Sequence, residues 1–190
     1  SPKDYDKILM PADDPLRNSL TIRNPLGEDT SIMRTTALPS MLQVISRNYN
    51  NRNPEACLYE LACEYHPTQP DKLPEEKPML VAAMYGGNYD FLSAKGMVEV
   101  LLDRFGIKDW DIAVCKDAYS YHPGRCAKLF AGEDELGIIG EIHPAVAENF
   151  EIGVRVYSFT LDVNVLREHA QTNHVYQPLP KFPAVSRDLA

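Results

Sequence analysis

Apolar residues recur along the chain with two periods, and each period predicts a different element. Leu38, Met41, Leu42, Ile45 and Tyr49 follow i, i+3, i+4, i+7, i+11 spacing, which draws one apolar stripe along a helix. Pro39 suits the first turn of that helix, where no intrahelical donor is needed. Thr35 and Thr36 are its candidate caps, and the polar run 48–54 ends it. Phe91, Ala94, Val98, Leu101, Leu102 and Phe105 make a second stripe, predicting a helix over 90–105 that Gly106 stops. Period-two alternation predicts a short strand at 20–24 and a longer one at 58–65. In the longer strand Tyr59, Leu61, Cys63 and Tyr65 share one face, and Glu60 and Glu64 lie on the other. Residues 79–85 are apolar on both faces, as in a central strand. Strands are also expected at 110–115 and 154–161, and a hairpin at 126–131 and 136–142 around the acidic turn 132–135. Short helices are expected from His143-Pro144 to Phe150 and over 162–169.

Strands that follow one another through short turns, with helices between some of them, predict an α+β fold: a mostly antiparallel sheet flanked by helices. Residues 1–19 are polar with three prolines and read as an extended lead-in. Residues 171–183 are polar and proline-rich and read as a linker. The expected division is therefore one domain over 1–170, followed by a linker and the start of another domain over 171–190. The chain begins Ser1-Pro2-Lys3 and stops at Leu189-Ala190, so both ends are expected to be cuts within a longer protein.

Charge and cysteine usage narrow the function classes. A net charge of -8 over 190 residues argues against a broad basic surface gripping a nucleic-acid backbone. The four cysteines, Cys57, Cys63, Cys115 and Cys126, contain no CxxC pair and no zinc-finger spacing. Reduced, mostly buried thiols in a cytoplasmic protein are the expectation. No apolar run is long enough to span a membrane, and the opening residues give no expectation of a secretory signal. The phosphate-binding loops GxGxxG and GxxxxGK[ST] are absent, as are HExxH and GxSxG. Cys126 follows Arg125 and invites a nucleophile reading. No residue is placed to act as its base, so a buried inert thiol is expected. Glu60 and Glu64 would stand about 13 Å apart along a strand, too far for an acid/base couple, and read as a solvated face. The five histidines are scattered, and His169 is expected to sit near a helix C-terminus, where the dipole favours it.

The segments then assemble into a known pattern. Asn24-Pro25-Leu26-Gly27-Glu28-Asp29, Met33-Arg34-Thr35 and Leu38-Pro39-Ser40-Met41-Leu42 resemble the "NPL..D...MRT.LLPGLL" signature of bacterial phenylalanyl-tRNA synthetase β subunits. Asn48 and Arg52 fit the "N..R" that follows, and Leu58-Tyr59-Glu60-Leu61 resembles "LFEIG". Asp90-Phe91 with Lys95-Gly96-Met97-Val98-Glu99 resembles "DFFDLKGIVE". His122-Pro123-Gly124-Arg125-Cys126-Ala127 resembles "HPGRSA", and the run from Gly137 to Pro144 resembles "IGXIGELHP". The run from Pro180 to Ala190 resembles the opening of the family's C-terminal anticodon-binding domain. Ala62 stands where the pattern has glycine, and Cys126 where it has serine.

The resemblance implies a class II synthetase-like module without catalytic residues, carried by the β subunit. ATP, magnesium and phenylalanine are then expected on a partner α subunit, two αβ pairs forming a tetramer, with no cofactor, metal or catalytic residue in this chain. Transfer RNA would be met only through the complete complex. The sequence agrees in one respect. Class II catalysis uses arginines to stabilise charge on the transferring group, yet the strand at 58–65 holds glutamates and no arginine, and no GxGxGxxR occurs before the linker. Arg34, Lys95, Gly96, Arg125, His143 and Pro144 are then expected to fix the fold. Gly96 would allow close helix packing, Pro144 would start a helix, and Arg34 would pin the helix entry by bonding carbonyls. The functional alternative puts Arg34, Leu38, Met41, Leu42, Ile45 and Tyr49 at the subunit interface. An apolar interface left uncovered pairs readily with a second copy, so homodimerisation is a further expectation. A free-standing amino-acid-activating enzyme and a lone tRNA-binding module are the competing readings.

Overall fold

Two apolar clusters, one on each side of a single sheet, account for how the chain folds. In the computed structural model residues 1–69 and 72–171 are described. The strands are β1 (Ala56–His66), β2 (Glu75–Tyr85), β3 (Trp110–Val114), β4 (Tyr121–Ala131), β5 (Asp134–Ile142) and β6 (Val156–Asp162). They form one six-stranded sheet in the order β1-β2-β6-β5-β4-β3, antiparallel at every pairing. The helices are α1 (Lys3–Lys7), α2 (Leu38–Asn50), α3 (Phe91–Arg104), α4 (Pro144–Asn149) and α5 (Val163–His169). Helices α1, α2 and α4 cover one face, burying Ile8, Leu42, Ile45 and Val146 against Val81, Tyr85 and Val156. Helices α3 and α5 cover the other, where Val98, Leu102 and Leu166 meet Leu129, Leu136, Ile139 and Leu161. The α+β architecture with a mostly antiparallel sheet is therefore the one the hydrophobic pattern predicts.

Local chemistry fixes the helix ends. Asp90 accepts from the Ser93 N–H at 2.7 Å and Ser93 Oγ faces the Asp90 N–H, a reciprocal cap that holds the Asp90 carboxyl below its ordinary pKa. At the far end Gly106 takes φ 71°, which lets the Ile107 N–H reach back to the Leu102 carbonyl at 2.9 Å. Asp162 caps α5 by accepting from the N–H groups of Asn164 and Val165.

Four expectations change. Residues 1–19 are not an extended lead-in: α1 and a 3-10 turn at Pro15–Arg17 fold back, and Tyr5, Ile8 and Met10 enter the core beneath α2. Elements this short carry too few apolar positions to show a period. Residues 20–24 do not form a strand; a single bridge joins Thr21 to Ile32. The first hairpin strand starts at Tyr121, and 122–125 bulge out of the ladder before pairing resumes at Cys126. The polar character of His-Pro-Gly-Arg hides that strand. Finally, β1 faces the opposite way to the one its composition suggests, as described below. The expected linker and second-domain start lie, beyond Gln171, outside the described residues.

Candidate functional site

Strand β1 is an edge strand, and the chemistry around it is arranged by its two glutamates. Glu64 is buried, not solvated. It accepts from the N–H of Ala37 at 2.8 Å, at the first turn of α2, and its other oxygen lies 3.4 Å from His66 Nε2. A helix N-terminus carries unsatisfied donors and a positive dipole, which draws the carboxylate inward. Burial pushes the Glu64 carboxyl above its ordinary range, against the opposing pull of the Ala37 N–H and His66. Glu60 pairs with Arg34 at 2.7 Å, and Arg34 Nε donates to the Cys63 carbonyl at 3.0 Å. The N–H of Tyr65 in turn bonds the Arg34 carbonyl, so Arg34 pins the approach to α2 on the outer edge of β1.

With the glutamate face turned inward, the apolar face of β1 turns out. Tyr59 is 75% exposed and Leu61 73%. They border an open groove of about 610 Å³ completed by Leu80, Leu101, Phe105 and Leu166. The predicted interface stripe has a different place. Leu38, Met41, Leu42 and Ile45 are buried in the chain's own core, and Tyr49 packs edge-on against Tyr85 with ring centroids 5.9 Å apart. A partner approaching α2 meets its outer ridge instead: Gln43, Val44, Arg47 and Asn50. Sequence periodicity separates an apolar face from a polar one, but it does not say which apolar face the chain itself covers.

A second constellation lies at the ends of β4 and β5. Arg125 Nη1 donates to both Glu141 oxygens at 2.9 Å, and Arg155 Nε stands 3.8 Å from the same carboxylate. These groups, with His122, Tyr49 and Glu148, line a cleft of about 680 Å³. Glu141 is buried, and the two-pronged bond from the Arg125 guanidinium satisfies both of its oxygens. His143 caps α4 through Nδ1, which accepts from the Ala145 N–H at 3.2 Å, and Pro144 occupies the first helical position. Lys95 pairs with Glu99 and lies 5.3 Å from the Trp110 ring centre. His169, at the end of α5, meets Asp134 at 2.8 Å. Among the described residues no three His, Cys, Asp or Glu side chains converge on a common point. No described helix is long and apolar enough to cross a membrane.

Gly96 departs from its expected role. A Cβ built there meets nothing within 4 Å, so no packing within the described chain requires glycine. Gly96→Ala is expected to raise stability by about 1 kcal/mol, from helix propensity and a less disordered unfolded chain. Urea denaturation checks it; a loss of stability would mean that the helix surface at Gly96 is packed after all.

Comparison with known proteins places this arrangement. The fold matches the crystal structure of pyrrolysyl-tRNA synthetase from Desulfitobacterium hafniense with a TM-score of 0.68 at 16% identity, covering 89% of this chain and 60% of that one. The fold is thus that of the class II aminoacyl-tRNA synthetases. The chain is 45% identical over 191 residues to the phenylalanine–tRNA ligase beta subunit of Clostridium tetani, and 41% identical to that of Clostridium acetobutylicum. It is matched over its whole length but spans only 24% of either relative. The family model for the phenylalanyl tRNA synthetase beta chain CLM domain matches residues 1–163, and the chain belongs to that family.

Proposed function

We propose that this chain is the part of a phenylalanine–tRNA ligase β subunit that docks on a catalytic α subunit, contributing surface and not chemistry. The observation that carries the reading is the outward apolar face of β1, where Tyr59 and Leu61 stand largely in solvent on an edge strand of a family member one quarter the length of its relatives. Contiguous exposed apolar surface marks a site that another surface covers. Arg34 and Arg125 are committed to carboxylates of the chain, Arg34 to Glu60 and Arg125 to Glu141. Strands β1 and β2 carry no arginine that would hold a nucleotide phosphate. ATP, magnesium and phenylalanine then belong to the α subunit, two αβ pairs form the working cytoplasmic assembly, and transfer RNA is met through the complete complex. In isolation the same face favours homodimerisation.

The surface-only reading predicts that the chain alone gives no phenylalanine-dependent ATP–pyrophosphate exchange above a protein-free blank. Exchange that persists in a preparation free of α subunit would instead establish a self-sufficient amino-acid-activating enzyme.

A further inference from the structure

Two cysteines eleven residues apart face each other across the sheet edge. The β3–β4 register pairs Val114 with Ala127, and the next step of that register sets Cys115 opposite Cys126. The Cys115 N–H donates to the Cys126 carbonyl at 2.9 Å. Opposed residues of an antiparallel pair point to the same face, and both side chains lie in the cluster beneath α1, α2 and α4. A hydrogen-bonded antiparallel pair holds its Cα atoms about 5.5 Å apart, inside the roughly 4.4–6.8 Å span of disulfide-bonded cysteines. Cys57 and Cys63, by contrast, sit on one strand and face no second thiol across it.

The pair is buried, but it lies at the sheet's margin. Val114, the last residue of edge strand β3, is 76% exposed. The Cys115 thiol donates to the exposed carboxylate of Asp117 at 3.2 Å. Fraying one end of an edge strand therefore brings Cys115 to solvent without unfolding the core.

We propose that Cys115 and Cys126 are a reversible dithiol–disulfide pair that responds to small-molecule disulfides. The Cys115 thiolate attacks one sulfur of the incoming disulfide, a mixed disulfide forms, and one thiol leaves. Cys126 then attacks the Cys115 sulfur and expels the second thiol, which takes up the Cys126 proton. The protein loses two hydrogens and the reagent gains them. Cys115 leads because it follows the end of edge strand β3 and its thiol bonds the exposed Asp117 carboxylate, whereas burial pushes the Cys126 thiol up to about 12. Directly opposed strand residues keep their Cβ atoms about 4.5–5.5 Å apart, wider than the roughly 3.5–4.5 Å of a relaxed disulfide. The bond is therefore of the strained, easily reduced kind that serves control more than permanent structure. Its formation clamps β3 to β4 beside the 122–125 bulge.

The test treats the folded chain with oxidised glutathione, blocks free thiols by alkylation and digests without reductant for mass spectrometry. The expected product is a peptide pair linked through Cys115 and Cys126, released by dithiothreitol, with glutathione on exposed Cys57. C126S, which substitutes the smaller hydroxyl, should abolish the link and leave glutathione on Cys115. Phenylarsine oxide, which needs two neighbouring thiols, should bind the wild-type chain with unit stoichiometry. Recovery of Cys115 and Cys126 as free alkylated thiols after Cys57 has fully reacted would overturn the proposal. So would a link that forms only in denaturant.

Discussion

Ile45→Ala is expected to lower the unfolding free energy by about 2–5 kcal/mol, the usual cost of a cavity left in a packed core. Ile45 has no exposed surface and lies near the middle of α2, in the apolar cluster that also holds Leu42, Val81 and Tyr85. Its neighbours Leu42 and Tyr85 are themselves buried and braced, so the site has little room to collapse. A domain of this size has a total stability of about 5–15 kcal/mol, so the variant should lose a large fraction of it. Val44→Ala, one residue earlier on the same helix and 42% exposed, should change stability by no more than about 0.5 kcal/mol. Urea midpoints for the two variants decide the matter. Equal effects would mean that the α2 stripe does not carry the core.

Arg125→Ala should cost about 3 kcal/mol, no more than the lower end of the range for orphaning a buried charge, because Glu141 is buried while the Arg125 side chain is 44% exposed. Glu141 is 3% exposed and would be left with Arg155 at 3.8 Å as its nearest cation. The open cleft beside it lets water supply part of the lost solvation, which keeps the cost from the upper end. Arg125→Ala combined with Glu141→Gln removes the stranded charge and should recover much of the loss. Thermal unfolding of the single and double variants gives the answer. A double variant no better than Arg125→Ala would show that the guanidinium acts by packing, not by pairing.

The long elements were legible because each repeats its pattern several times. The stripe from Leu38 to Tyr49 and the doubly apolar run into Tyr85 each leave one reading open, and the structure adopts it. The capping roles of His143-Pro144 and the stop at Gly106 were equally readable, since both depend on neighbours a few residues away. What escaped depends on contacts between distant segments. The facing of β1 is set by the α2 N-terminus drawing Glu64 in and by Arg34 holding Glu60, contacts that span 27 and 26 residues. A strand pattern read alone assigns the apolar face to the core, and here that face is the one the described residues leave open. The opposition of Cys115 and Cys126 likewise exists only once the β3–β4 register is known. Gly96 shows the reverse case: a residue type that suggests tight packing occupies open space within the described chain.

On this proposal the chain docks on an α subunit through surface that its described residues leave open. The most direct test is to mix the chain with the α subunit from the same organism and measure the mass of the complex by size-exclusion with light scattering. The account predicts a stable mixed complex that is lost when charge is placed on the open β1 face by Leu61→Asp, with Val44→Asp on the outer ridge of α2 marking whether that ridge shares the contact. Two separate species at micromolar concentration, or a complex indifferent to both substitutions, would contradict it.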